Sequence, residues 1–134
     1  MNQPSLRFGY TIAYVPEVST SLDFFEKAFG MQRKFLHESG LYGELDTGST
    51  TLAFAAHVMG EMHFSAGFIK ASESNLPLGL ELALVADDVL QSHAHALACG
   101  AQEIAAPEQK PWGQTVSYVR CPDGLLVELC SPMG

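Results

Sequence analysis

The chain has 134 residues, 47% of them hydrophobic and 16% charged, which suits one globular domain and leaves no room for two large ones. Seven Lys and Arg stand against 15 Asp and Glu, a formal charge of -8 that repels phosphate backbones and anionic lipid surfaces, so nucleic-acid and membrane-surface roles are disfavoured. Cys99, Cys121 and Cys130 show no CxxC spacing, the N-terminus has no basic-then-apolar leader, and no apolar stretch nears the ~20 residues of a spanning helix; a cytoplasmic protein is expected.

In chain order, residues 10–17 alternate as a strand. Val18, Leu22, Phe25 and Phe29 follow at helical spacing, with Ser19, Thr20 and Ser21 as N-cap oxygens, a capping-box pattern in Thr20 and Asp23, and a stop at Gly30. Short strands are predicted at 32–38, 41–46 and 50–57, punctuated by Ser39-Gly40 and Thr47-Gly48. Residues 58–79 set Met59, Met62, Phe64 and Phe68 among Gly, Ser, Asn and Pro, which reads as a connector packed on the core or as an adaptable apolar lid.

The plan then repeats. Tyr10-Thr11-Ile12-Ala13-Tyr14-Val15 aligns with Leu80-Glu81-Leu82-Ala83-Leu84-Val85 at an offset of 70, and the same offset pairs Gly30 with Gly100. Asp87 and Asp88 lead into Val89, His93, Ala96 and Leu97, a second helical pattern. Strands follow at 102–105, 114–120 and 125–130, the last two joined through Pro122-Asp123-Gly124. The expected fold class is α+β: two tandem βαβββ modules in one domain (1–134), module 1 at about 8–57, a connector at 58–79 and module 2 at about 80–132.

Four stretches carry a family resemblance: 15–31, Val85-Ala86-Asp87-Asp88-Val89, Lys110-Pro111-Trp112-Gly113-Gln114, and 122–129. With the duplicated order, the sequence resembles the vicinal oxygen chelate superfamily of glyoxalase I, extradiol dioxygenases and bleomycin-resistance proteins, and within it the bleomycin-resistance-like members. The resemblance implies a cup of curled mixed sheet with helices outside, commonly completed in a homodimer. It also implies four metal-ligand positions, here Tyr10, Leu52 or Ala53, Leu80 and Glu128. Only Glu128 is a usual ligand, so no metal and no other cofactor is expected, a divalent metal being the alternative. A replacement set would draw on Glu44, His57, His63 and Glu81, but Glu81 is one step from Leu80 and is expected on the opposite strand face.

The candidate ligand-binding residues are Tyr10, Tyr42, Phe54, His57, Trp112, Tyr118 and Glu128. Glu128, a carboxylate in an apolar strand and the one catalytic candidate, faces the cup or survives as a structural hydrogen-bonding group. The aromatic residues line the cup or belong to the core. His57 closes its strand at the cup mouth, and Trp112 stacks on a flat or cationic ligand or plugs its loop. His93 and His95 lie two apart on a helix and cannot clamp one ion. The expectation is a small-molecule-binding protein that sequesters a cationic or planar ligand in an apolar, aromatic, acidic cup. The alternative is a metal-dependent lyase or dioxygenase with a rearranged site that includes Glu128.

Overall fold

A computed structural model describes residues 3–133. Module 1 runs β1 (Tyr10–Val15), α1 (Val18–Phe29), β2 (Gln32–Leu36), β3 (Tyr42–Asp46) and β4 (Thr51–Ala56). A short helix α2 (His57–His63) and a 3-10 turn at Ala71–Glu73 lead to β5 (Glu81–Val85), α3 (Val89–Ala98), β6 (Gln102–Gln109), β7 (Thr115–Arg120) and β8 (Leu126–Cys130). Each module makes one four-stranded sheet, ordered β1-β4-β3-β2 and β5-β8-β7-β6. The outer pairs β1/β4 and β5/β8 are parallel and the rest antiparallel. The expected α+β class and duplicated βαβββ order are therefore observed.

Alternation along the strands sorts their side chains into two faces. In sheet 1, Val15, Leu45, Leu52 and Phe54 point at α1 and are buried, and the Phe54 ring lies 5.1 Å from Phe25, centroid to centroid. Of the two readings open to it, Phe54 takes the core one, so this candidate ligand-binding residue is not on the ligand-facing wall. The α1 helix sits so close to β3 that a Cβ on Gly43 would fall 2.8 Å from Leu22 Cδ1, which is why a side-chain-free residue occupies this strand. In sheet 2, Val119, Val127 and Leu129 face α3. His93 packs under this sheet, its Nδ1 2.9 Å from Ser117 Oγ and its Nε2 2.7 Å from Glu103, so both ring nitrogens are used in the interior.

Three local expectations change. The N-cap of α1 is Glu17, whose carboxylate accepts from Ser19 and Thr20, so these hydroxyls do not cap the helix themselves. Asp88 does cap α3, accepting from the Gln91 N–H at 3.1 Å. The strand predicted to run through His57 ends at Ala56, and residues first read only as connector begin with α2.

The two modules are joined by a buried bond. Ser21 Oγ on α1 donates to Asp123 in the β7–β8 turn at 2.7 Å, while the other carboxylate oxygen accepts from the Leu125 N–H at 3.1 Å. Burial raises the Asp123 pKa, and these two donors, with the Asp123 backbone N–H, oppose the shift and make a buried carboxylate tolerable. Ser21→Ala is expected to lower stability by about 1–3 kcal/mol, the cost of stripping a buried acceptor of its partner. Urea denaturation at neutral pH checks this, and an unchanged midpoint would show that Ser21 and Asp123 do not hold the modules together.

Candidate functional site

Helix register corrects the internal alignment. Buried Val18, Leu22 and Phe25 of α1 occupy the places of Val89, His93 and Ala96 of α3, and the N-caps Glu17 and Asp88 correspond. The offset through strand and helix is therefore 71, with a one-residue shift from the sequence alignment. Tyr10 then corresponds to Glu81, not Leu80. The sheet register agrees: Ile12 pairs with Ala53 as Ala83 pairs with Glu128. The four ligand positions implied by the resemblance become Tyr10, Ala53, Glu81 and Glu128.

This places Glu81 on the same face as Glu128. Glu81 pairs with Leu126 across the parallel β5/β8 ladder, and Leu126 and Glu128, two apart, share a face. The expectation that Glu81 turns away from the site is thus overturned. Its hydrogen bond to Glu128, with burial adding to it, raises the Glu81 carboxyl above its ordinary range. Tyr118 stands opposite Glu128 on β7 and donates its hydroxyl at 3.0 Å; burial and this carboxylate push the phenol up to about 12. The Cys130 thiol, also on this face, is raised by burial and Glu128, which leaves it a poor nucleophile. Neither Glu81 nor Glu128 has an ion-pair partner among the described residues.

Sheet 1 carries a related pair on its open face. Tyr42 donates to Glu44 at 2.7 Å, and burial together with that carboxylate raises its pKa well beyond the ordinary phenol value. Lys34 Nζ lies 3.7 Å from Glu44, so this second carboxylate has a cation nearby. Tyr10 begins β1 on the same face and is 58% exposed. Along the seam where β1 approaches β5 lie two cavities of about 180 and 370 Å³, both lined by Thr11 and Glu81. The smaller is walled by Ile12, Tyr14, Phe68, Leu78 and Leu126. A groove of about 420 Å³ between the end of α1 and α3 is lined by none of these carboxyls.

The remaining candidates lie elsewhere. His57 opens α2 and points into the connector's aromatic cluster 6.0 Å from the Phe68 ring, with Nε2 buried and unpartnered; burial, then Lys70, lower its pKa, so it is neutral at pH 7. Trp112 sits in the β6–β7 turn, exposed, its Nε1–H donating to Gln114 at 2.8 Å. The structure therefore brings together Tyr118 and Glu128, adds Glu81, and sets Phe54 and His57 apart from them.

The donor set decides whether the superfamily's metal ion fits. Tyr10, Ala53, Glu81 and Glu128 offer a phenol, a methyl and two carboxyls, the two carboxyls standing on one face of adjacent strands. A zinc or iron site takes its three or four protein ligands from His, Cys, Asp and Glu, of which this set supplies two, and no trio of those residues is placed to hold an ion among the described residues. These residues do not fit that group.

If Glu128 holds the Tyr118 proton in place, Glu128→Gln should bring the Tyr118 phenol down from about 12 toward the free-tyrosine value of about 10. Carbon-13 NMR of labelled tyrosine ring carbons, titrated from neutral pH upward in both proteins, reads this; an unmoved titration would break the Tyr118–Glu128 assignment.

The sequence profile of the glyoxalase-like domain matches residues 8–134. Among curated proteins no relative matches. Among solved structures, a glyoxalase/bleomycin resistance protein/dioxygenase family enzyme from Burkholderia phytofirmans PsJN is 21% identical with a TM-score of 0.75, covering 91% of this chain and 95% of that one. A glyoxalase-related enzyme from Fulvimarina pelagi is 18% identical with a TM-score of 0.77 over 94% and 88% of the two chains. TioX from Micromonospora sp. ML1 is 17% identical with a TM-score of 0.69 over 93% and 98%. At these identities the likeness is one of fold.

Proposed function

The chain belongs to the glyoxalase-like domain family, and from that premise we propose that it is a small-molecule-binding protein that sequesters a cationic, partly aromatic ligand on the open face of sheet 2. The fold alone hosts many chemistries, so the site has to carry the reading. One observation carries it: Glu81, Glu128 and Tyr118 converge on an open face beside apolar walls, and the two carboxyls have no cation partner among the described residues. An ammonium, amidinium or guanidinium group supplies the missing charge, and Ile12, Tyr14 and Leu126 receive its apolar body. The net charge of -8 favours the approach of such a ligand. Tyr10 and Trp112, both exposed, supply aromatic surface at the edges of the two sheets.

A homodimer belongs to the same proposal. Tyr10, Ile12, Phe35 and Val85 leave apolar surface exposed along the strands of both open faces, and a second copy would cover it. The competing reading, a metal-dependent lyase or dioxygenase, is supported by the second carboxyl, Glu81, next to Glu128, and opposed by the shortage of further ligands. Elemental analysis with turnover assays separates the two: a bound metal near one per chain together with turnover would replace the sequestration reading.

Benzamidine, a small aromatic cation, is the probe for the binding site. Glu128→Gln is expected to weaken its binding at least tenfold by calorimetry, about 1.4 kcal/mol. Affinity should also rise with pH. The Glu81 carboxyl is held above its ordinary range, so its proton competes with the cation at low pH and leaves as pH climbs through the raised value, which places the gain above the ordinary carboxylate value of about 4.3. An affinity that is flat from pH 4 to pH 8, or equal in wild type and Glu128→Gln, contradicts the proposed site.

A further inference from the structure

One side chain grips the 71–75 stretch of the connector between the modules. Arg120 ends β7 on the open face, alternating with core Val119, and its guanidinium reaches back across the β7–β8 hairpin to the connector. Nη2 donates to the carbonyls of Ala71 and Ser74, both at 2.8 Å, Nη1 to Asn75 at 3.3 Å, and Nε to Gly124 at 3.2 Å. No carboxylate pairs with Arg120 among the described residues, so this charge is spent on four backbone carbonyls drawn from two segments. Only a planar group with five fixed donors spans such a fan, and lysine would not.

The close approach has a second requirement. Gly124 has φ +92, and a Cβ there would collide with the Ala71 carbonyl oxygen. Gly124 and Arg120 thus act on the same turn from the same hairpin. At its other end the connector is held by aromatic packing: the Phe68 ring lies 5.2 Å from Tyr14 and covers Gly60, where a Cβ would fall 2.6 Å from the ring. With the connector so held, its Phe68, Ile69, Ala71 and Leu78 form one side of the cavity of about 180 Å³, whose other side is Ile12, Leu126 and Glu81.

We propose that Arg120 is a positioning residue: by gripping the connector it sets the width of the apolar cavity beside Glu81 and thereby which apolar groups a ligand can bring to the site. The inference rests on the reading of the open face as a ligand site and adds what selects the ligand's apolar part. The cavity has the volume of about six water molecules. A connector held in place would on this proposal favour short apolar chains in the cavity over long ones.

The test uses the intact chain and neutral probes, so it does not depend on cation binding. Hydrogen–deuterium exchange is compared in wild type, Arg120→Gln and Arg120→Lys, and n-alkanols from butanol to octanol are titrated by methyl NMR. In Arg120→Gln, exchange over 68–79 should rise at least tenfold while β4 and β8 keep their protection. Arg120→Lys should recover only part of it. Wild type should prefer short alkanols over octanol, and Arg120→Gln should flatten that preference at least threefold. Gly124→Ala, which displaces the same turn without touching the charge, should flatten it too. Unchanged exchange over 68–79, equal loss of protection over β4 and β8, an unaltered chain-length profile, or no alkanol binding to wild type would each overturn the proposal. Loss of benzamidine binding with the alkanol profile intact would instead count against the cationic-ligand reading alone.

Discussion

The parallel pairing of β5 with β8 fixes what the open face of sheet 2 can do. A strand turns successive side chains to opposite faces, so the register that sets Glu81 level with Leu126 and Ala83 level with Glu128 puts both carboxyls on one side and Val127 and Leu129 on the other. Moving β5 by one residue would send Glu81 into the core and Leu82 to solvent. The apolar demand of the interior under α3 therefore holds the acidic pair in place, and Tyr118, opposite Glu128 on β7, completes the array.

Three fastenings keep the two modules in register with one another. Ser21 and Asp123 bond in the interior, Arg120 grips the carbonyls of the connector, and the His95 ring of α3 hydrogen-bonds the Lys27 carbonyl of α1 at 2.8 Å. All three are polar bonds between distant parts of the chain, and two of them start from the second module's last hairpin. The β7–β8 turn thus has a double task. It closes the strand pair that carries Tyr118 and Glu128, and it anchors the segment that walls the cavity next to them.

The duplicated fold was legible because it is written in periodicity and punctuation: Val18, Leu22, Phe25 and Phe29 mark one helix, Val89, His93 and Ala96 the other, and turn glycines separate the strands. Tyr118 and Glu128 were legible as strand residues of the right type. Glu81 was misread because the alignment of the halves at 70 rested on matched residue identities such as Ala13 with Ala83, whereas the buried faces of α1 and α3 align at 71. A one-residue error is small along the chain and complete across a strand. Phe54 was ambiguous for a related reason, since an aromatic in a strand buried on both faces carries no signal of side. Arg120 gave no local signal at all: three of its four partners are main-chain carbonyls 45 or more residues away, the fourth is a carbonyl of the next turn, and backbone acceptors leave no mark in sequence.

The measurement that bears most directly on the acidic site is a carbon-13 NMR titration of the glutamate side-chain carboxyls in wild type and Glu128→Gln. With Glu81 and Glu128 on one face, the Glu81 carboxyl titrates above the ordinary glutamate range in wild type and falls back toward it when Glu128 loses its charge. A Glu81 that titrates at the ordinary value in both proteins would mean that the two side chains do not meet, and the site built on them would be wrong.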